Sequence, residues 1–204
     1  MKGEARDDPQ PGSLAPAPPG PMRDRPRDRI LAVATRLFLQ EGIQAVGVAR
    51  IVEQAGVAPM TLYRHFGAKD GLVVAVLEQW SVEWIGWLVD QVDRCGDDPG
   101  ARLAGLSAAL EQGLRPREHA GSLAVLAAIE LRGEPEHPAW KAIVEHRMAM
   151  RQLLEELVQP LDVTDPPAVA ARLQLLVEGA EAVAVAGGPV GAPDLRALSE
   201  AARC

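Results

Sequence analysis

Residues 55–69 read AGVAPMTLYRHFGAK and bring a glycine, a proline, two aromatic residues and three potentially cationic side chains close together. Gly56 suits a tight turn, because glycine adopts positive backbone angles at little steric cost. Pro59 suits the first position of a helix, and Gly67 suits the position after its end. The pattern predicts a short helix that ends at Gly56, a turn, and a second short helix from Pro59 to Phe66.

The residues around this turn have the pattern of a helix-turn-helix. The segment 48–55 is predicted to form the first helix, and apolar residues on both sides of the turn are spaced to lock the two helices together: Ile51, Ala55, Val57 and Leu62. The outer face of the second helix is then free to enter a major groove. It carries Met60, Thr61, Tyr63, Arg64 and His65. Hydroxyl and imidazole groups contact phosphates or base edges, and a guanidinium can bind guanine in a bidentate manner.

The rest of the chain is predicted to be helical. Aromatic residues make up only 3% of the sequence and hydrophobic residues 48%, so Ala, Leu and Val must form the core. The alternating pattern of strands is absent. We expect a first helix from Pro26 to Gly42 and a long one from Lys69 to about Cys95, followed by helices at roughly 100–114, 120–132, 138–159, 166–186 and 193–203.

Composition argues against several classes of protein. The two cysteines, Cys95 and Cys204, belong to no CxxC or Cys/His cluster, and His137 and His146 have no nearby ligand partners, so no metal or cofactor is predicted. The sequence contains no nucleophile-base pair and no phosphate-binding glycine loop, so an enzyme is not predicted. The longest purely apolar run, residues 123–129, is too short to cross a bilayer, and we expect a cytoplasmic protein.

Charge is unevenly distributed along the chain. The formal net charge is -7, but residues 23–69 contain eight Lys/Arg against four Asp/Glu, a net of +4, which leaves -11 for the rest. A basic module on an acidic body is typical of a DNA-binding unit joined to one that does not bind DNA. A chance fluctuation in surface charge is the alternative.

A longer stretch has a specific resemblance. Residues 29–77, RILAVATRLFLQEGIQAVGVARIVEQAGVAPMTLYRHFGAKDGLVVAVL, are similar throughout to the N-terminal DNA-binding domain of the TetR family of bacterial transcriptional regulators. The resemblance implies an all-α fold: an N-terminal three-helix helix-turn-helix domain joined by a long helix to a C-terminal helical ligand-binding and dimerisation domain. From it we expect a DNA-binding domain over 23–70 and a regulatory domain over 71–204. Residues 1–22 contain six prolines and three glycines, a composition that predicts a disordered tail.

The resemblance also implies which side chains face DNA. Thr61, Tyr63 and His65 would do so, with Tyr63 and Lys69 gripping phosphates and Phe66 structural. The full set of DNA-binding candidates is Arg50, Pro59, Met60, Thr61, Tyr63, Arg64, His65 and Lys69. Gly47 and Ala58 depart from the family, which commonly has Thr and Ser there. Both departures lose a hydroxyl that caps a helix or touches a phosphate.

The segment RDRPRDR, residues 23–29, has two interpretations. Arg23 and Arg25 could enter a minor groove in the manner of a homeodomain arm. Alternatively the segment is a solvated helix start whose charges compensate one another.

The acidic body carries two further sets of candidates. Small residues near the apolar turns of residues 166–186 suggest the close helix packing of a four-helix bundle shared by two subunits, with Leu173, Leu176, Val177, Ala180 and Ala184 at the interface. Packing within one chain is the alternative. The long helix carries tryptophans at helical spacing, and the resemblance implies that this helix reaches a ligand cavity, so the expected pocket for an apolar effector is lined by Trp84 and Trp87 with Leu126, Met148 and Leu175. Plain core packing is the alternative.

These observations favour a ligand-responsive repressor that binds a palindromic DNA operator as a homodimer and takes an unknown, apolar small-molecule effector. Its mechanism would be a shift between two dimer states, transmitted by the long helix that begins at Lys69. The alternative is a helical protein-interaction module that has lost specific DNA binding. The sequence does not distinguish repression from activation.

Overall fold

The computed structural model describes residues 25–114 and 122–187. Within these ranges the chain forms eight α-helices and no strand, which confirms the all-α prediction. The helices are α1 (Pro26–Glu41), α2 (Val48–Ala55), α3 (Pro59–Phe66), α4 (Lys69–Asp93), α5 (Pro99–Gly113), α6 (Leu123–Glu130), α7 (Ala139–Val158) and α8 (Pro166–Val185). The predicted tail and the predicted helix at 193–203 lie outside the described residues.

Helix boundaries follow local capping chemistry. Asp98 caps α5 by accepting a hydrogen bond from the Ala101 N–H at 2.7 Å, and Asp165 caps α8 in the same way. Ser122 caps α6, which begins later than the predicted 120–132 helix because the capping residue is itself non-helical. The main differences from the predicted boundaries are therefore a shorter α6 and an α4 that ends at Asp93.

The first three helices pack around the start of α4. Ile30, Phe38, Ile51 and Leu62 are fully buried in their common core. Gly56 ends α2 in the left-handed conformation, with φ of 62°, which a residue with a Cβ rarely adopts. The turn therefore sets the angle between α2 and α3, as the sequence pattern predicted.

Helix α4 runs through both halves of the molecule. It packs against α1 and α3 near its start and against α5 and α7 further along. It has 25 residues, and an 18-residue window within it has a mean hydropathy of 1.4, so it is long and apolar enough to cross a membrane by those two criteria alone. Burial within the protein explains this apolar composition equally well, since a helix surrounded by other helices must be apolar on several sides.

Helices α7 and α8 form a pair joined by residues 159–165. The Arg147 guanidinium donates two hydrogen bonds to the Glu178 carboxylate, at 3.0 and 2.9 Å. The Gln174 amide donates to the Arg147 carbonyl at 3.1 Å, and this fixes the register of the pair. The two longest helices after α4 therefore form one side of the body.

Candidate nucleic-acid interface

Helix α3 is anchored by one face and exposed on the other. Leu62 is fully buried, and Phe66 packs half-buried with the Arg27 guanidinium 5.5 Å from its ring centroid. Met60 is 74% exposed and Tyr63 is 46% exposed on the outer side. Pro59, Arg64 and His65 are also exposed, and Thr61 is half-buried. The structure therefore brings the predicted α3 residues onto one short, accessible helix.

The start of α3 has no side-chain cap. Ala58 occupies the capping position in extended conformation, with φ of -69° and ψ of 144°, and only its carbonyl takes part, accepting from the Thr61 N–H at 2.9 Å. Gly47 likewise caps α2 without a side chain. Pro59 offsets part of the loss, since it has no N–H to satisfy and its φ already suits a helix.

Replacing Ala58 with serine is expected to stabilise the protein. The backbone already has the geometry of a capping residue, so a serine hydroxyl would accept an N–H at the start of α3, an effect of about 0.5 to 2 kcal/mol. The same hydroxyl would strengthen phosphate contact and steepen the salt dependence of DNA binding. Chemical denaturation and salt-titrated gel shifts measure the two effects, and Ala58→Val, which adds no hydroxyl and is as poor a capping residue as alanine, is the control. Unchanged stability and unchanged affinity would show that the missing hydroxyl has no effect.

The two outlying DNA-binding candidates are already partly engaged. Lys69, the first residue of α4, is half-buried and donates from Nζ to the Gln44 carbonyl at 3.3 Å. Arg50 forms an exposed ion pair with Glu41. Arg50 therefore faces a carboxylate within its own chain, and contact with a phosphate requires this pair to open.

A second connection joins the helix-turn-helix to the body, besides the continuity of α4. The Gln44 N–H donates to Glu130 Oε2 at 2.7 Å, and its side-chain amide donates to Glu134 Oε1 at 2.9 Å. Nearby, His137 Nε2 lies 3.5 Å from Asp70 Oδ1. The sequence analysis missed this contact, because residues 86 positions apart leave no periodic signal in a single chain.

Removing the Glu130 carboxylate is expected to loosen this connection. Glu130→Ala leaves the Gln44 N–H without its acceptor, and hydrogen bonds to charged groups are worth about 1.5 to 3 kcal/mol, less where exposed. We expect operator affinity about 3- to 10-fold lower, because α3 is then held less firmly. Titration of labelled operator DNA measures it. Glu136→Ala, at an exposed acid of the same segment, is the control, and equal affinities in the two variants would contradict the role of Glu130.

The tryptophans predicted to line a pocket are buried together. The rings of Trp84 and Trp87 stack with centroids 5.3 Å apart, and both rings lie against Gly113 of α5. Leu126 is half-buried on α6. Met148 and Leu175, however, are 65% and 69% exposed, so they lie on the outer surface of the chain. We therefore leave these two residues out of the pocket.

The predicted dimer residues divide into two groups. Leu173, Val177 and Ala184 are buried within the chain and hold α8 against its neighbours. Leu176 is 40% exposed and Ala180 is half-buried. The first group therefore packs within the chain, as the alternative interpretation predicts. The second group lies on a more exposed side of α8, and a helix that packs on one side presents its opposite side to a partner.

Two ionisable side chains are buried in the body. The His146 ring is tilted against that of Trp80, with centroids 4.8 Å apart, and it shares a 2.8 Å hydrogen bond with the Ser81 hydroxyl. Burial lowers the pKa of His146 from 6.5 to about 4. Burial, aided by the neighbouring Glu178 charge, raises the pKa of Glu181 from 4.5 to about 8, although a hydrogen bond with Ser122 opposes the shift. At neutral pH both groups are uncharged. No group of three or more potential metal ligands occurs among the described residues.

Comparison with known proteins matches this geometry. Residues 30–76, which span most of α1 to the first turns of α4, match the family described as bacterial regulatory proteins, tetR family. The HTH-type transcriptional repressor KstR2 of Mycolicibacterium smegmatis is 25% identical over 146 residues, 72% of this chain and 69% of that protein. Residues 30–76 therefore form a DNA-binding domain of the TetR family. The proteins that match the chain are transcriptional regulators, and the chain is accordingly a DNA-binding transcriptional regulator and not an enzyme.

Other HTH-type relatives differ in how they act on transcription. The HTH-type transcriptional activator FasR of Mycolicibacterium smegmatis is 39% identical over 57 residues, which cover 28% of this chain and 26% of FasR. The HTH-type transcriptional repressor BdcR of Escherichia coli is 37% identical over 62 residues, which cover 30% of this chain and 32% of BdcR. These two similarities extend over less than a third of each protein.

Solved structures resemble the chain over most of its length. A TetR-type regulator from Streptomyces avermitilis is 25% identical with a TM-score of 0.75, covering 88% of this chain and 98% of its own. A TetR-family regulator from Streptomyces coelicolor is 29% identical with a TM-score of 0.68, covering 86% and 89%. The likeness therefore includes the helical body as well as the helix-turn-helix.

Proposed function

We propose that this chain is a cytoplasmic repressor that binds a palindromic operator as a homodimer and is released by a small apolar effector. The observation that carries the proposal is the exposed face of α3, whose polar and cationic side chains stand on a helix anchored by the buried Leu62. In this proposal residues 23–70 are the DNA-binding domain and residues 71–204 the regulatory domain.

An apolar outer face supports dimerisation through α7 and α8. Five large apolar side chains are exposed on this pair: Val144, Met148, Leu175, Leu176 and Val183. Their spacing is helical on each element, and a Cβ at Gly179 in the same stripe would meet nothing within 4 Å. Exposed apolar patches of this kind mark interaction surfaces. A second copy of the same face would bury the patch in a four-helix arrangement.

Two-fold symmetry also suits the DNA. Two recognition helices read half-sites one helical turn apart, about 34 Å, only if two subunits are held together. Phosphate contacts by Tyr63 and Lys69 would position each α3, and its remaining side chains would read base edges.

Effector control would act through α4 and the Gln44–Glu130 contact. An effector near Trp84 and Trp87 shifts the dimer only if it binds one arrangement of α4 more tightly than the other. Coupling of this kind is typically about 1 to 3 kcal/mol, or 5- to 150-fold in operator affinity. Because α4 begins at Lys69, movement of the helix would move a phosphate-binding group directly.

Selection of bound sequences from random DNA tests the proposal. We expect an enriched palindrome with half-site centres about 10 bp apart, confirmed by a gel shift with the DNA upstream of the gene for this chain. A reporter gene under that DNA then separates repression from activation. Absence of any enriched sequence would favour the protein-interaction alternative.

A further inference from the structure

Helix α3 carries an exposed apolar side chain at its second position. Met60 is 74% exposed, and it follows Ala58 and Pro59, which are exposed as well. In residues 25–66, which the structure describes throughout, the other exposed large apolar side chain is that of Tyr63, at 46%. The tyrosine ends in a hydroxyl, whereas the thioether of methionine is at most a weak hydrogen-bond acceptor. The beginning of α3 therefore presents an apolar surface to solvent.

The packing of α3 turns the Met60 side chain outward. Leu62, which anchors the helix, is two positions along the chain and therefore lies on the opposite side of α3. Tyr63 and Arg64, three and four positions along, share the side on which Met60 lies. Met60 is therefore part of the face that we propose to contact DNA, and its exposed side chain adds little to the core.

The two ends of α3 differ in chemical character. Arg64 and His65 lie in its last turn, and its first turn contains no acidic residue. Cationic groups bind the phosphates along the edges of the groove, whereas the first residues of a recognition helix reach the base edges. Met60, in the first turn, is therefore placed to meet bases.

The major groove offers one group that suits an apolar side chain. The base edges present hydrogen-bond donors and acceptors, and the C5-methyl of thymine is the apolar group among them. A methionine pressed against a donor or acceptor would displace its water without replacing the hydrogen bond. Contact with a methyl group instead removes apolar surface from water on both partners. The flexible thioether side chain can also adjust to the position of the methyl.

We propose that Met60 is a specificity-determining residue that recognises the C5-methyl group of a thymine in each operator half-site. The proposal rests on the operator binding proposed above and names the chemical group that the first turn of α3 reads. Each contact contributes about 3- to 5-fold to affinity, the amount expected for burying one methyl group. Because a homodimer presents Met60 twice, the two half-sites together contribute about 10- to 25-fold.

Replacing thymine with deoxyuridine tests this contact, because uracil differs from thymine in lacking the methyl group. The operator is the sequence enriched from random DNA, and each of its thymines is replaced in turn, in both half-sites together. We expect one replacement to weaken wild-type binding about 10- to 25-fold. Met60→Ala should bind the unmodified operator at least as weakly as the wild type binds the uracil operator, and it should not distinguish the two. Titration of labelled DNA measures the affinities.

Two control variants tie the result to the Met60 side chain. Val82→Ala, at a residue of α4 that is 75% exposed, should show the full loss on uracil replacement. Met60→Leu, which keeps an apolar side chain of similar volume, should show most of it. Each ratio of affinities is measured within one protein preparation, so a partly unfolded sample changes both values equally.

Methylated cytosine provides an independent test. With a C·G pair at the same position, methylation of cytosine at C5 restores the methyl group without the other groups of thymine. The wild type should gain about 3- to 5-fold per half-site, and Met60→Ala should gain nothing. A gain of equal size in both proteins would show that the methyl group acts through the shape of the DNA and would overturn the proposal.

The outcomes separate this inference from the proposed function. If an operator is enriched but contains no thymine at which uracil weakens wild-type binding, the operator function stands and the role of Met60 is wrong. The same holds if uracil weakens binding by Met60→Ala as much as binding by the wild type. If no sequence is enriched from random DNA, both the operator function and the role of Met60 fail.

Discussion

Replacing Leu175 with lysine is expected to leave a folded chain that no longer dimerises. Leu175 is 69% exposed on α8, so lysine at this position disturbs no intrachain packing. In the proposed dimer it would place an ammonium at a two-fold apolar interface, where a buried unpaired charge is strongly unfavourable. A monomer carries one recognition helix and binds one half-site at a time. Operator affinity should therefore fall about 100-fold or more, because the gain from linking two binding modules is lost.

Light scattering after size-exclusion chromatography and gel shifts measure the two effects of Leu175→Lys. Val82→Lys is the matched control, since Val82 is 75% exposed on α4 and belongs to neither α7 nor α8. We expect the control to remain dimeric with unchanged affinity. A Leu175→Lys protein that is still dimeric would exclude this face as the interface.

Replacing Glu181 with glutamine is expected to abolish most of the fall in stability that the wild type shows as pH rises. The folded carboxyl keeps its proton up to about pH 8, whereas in the unfolded chain it ionises near 4.5. Between those values the folded state binds more protons, so the free energy of unfolding falls with rising pH, by up to about 1.4 kcal/mol per unit. Glutamine is uncharged at every pH and still bonds to Ser122. At pH 8 the free energy of unfolding of the variant should therefore exceed that of the wild type by several kcal/mol.

His146 produces the opposite slope on the acid side. Its pKa is about 4 when folded and 6.5 when exposed, so the stability it contributes is present above pH 6.5 and is lost as pH falls through that window. Between pH 4.5 and 6.5 the two groups oppose each other, and the wild-type profile should be nearly flat.

Denaturant unfolding across pH measures both slopes. Glu156→Gln, at an exposed acid of α7, should reproduce the wild-type profile. A Glu181→Gln protein that parallels the wild type from pH 6.5 to 8 would show that the Glu181 carboxyl is already ionised in the folded chain.

Local signals predicted the helix-turn-helix. Gly56 and Pro59 place the turn and the start of α3 through backbone constraints that act within a few residues. The helical spacing of Leu62 and Phe66 settles which face of α3 packs inward. The all-α fold and the TetR family are confirmed, and the individual DNA-contacting residues stay predictions.

Predictions in the body were less complete, because helical periodicity reveals an apolar side but not its neighbour. Leu173 and Leu175 are both apolar and two positions apart, which puts them on different sides of α8. The structure buries Leu173 in the chain and exposes Leu175, so the first packs internally and the second is free for a partner. A single sequence cannot show that α7 covers one side and leaves the other open.

The sequence by itself determined the helices, the turn at Gly56 and the polar face of α3, since all of these follow from the preferences of residues within one or two turns of each other. The tertiary structure decided what depends on distant residues meeting: the Gln44–Glu130 contact and the apolar face of α7 and α8. Burial and pairing depend on the neighbours that folding supplies, and this is why these contacts and surfaces follow only from the packing of the chain.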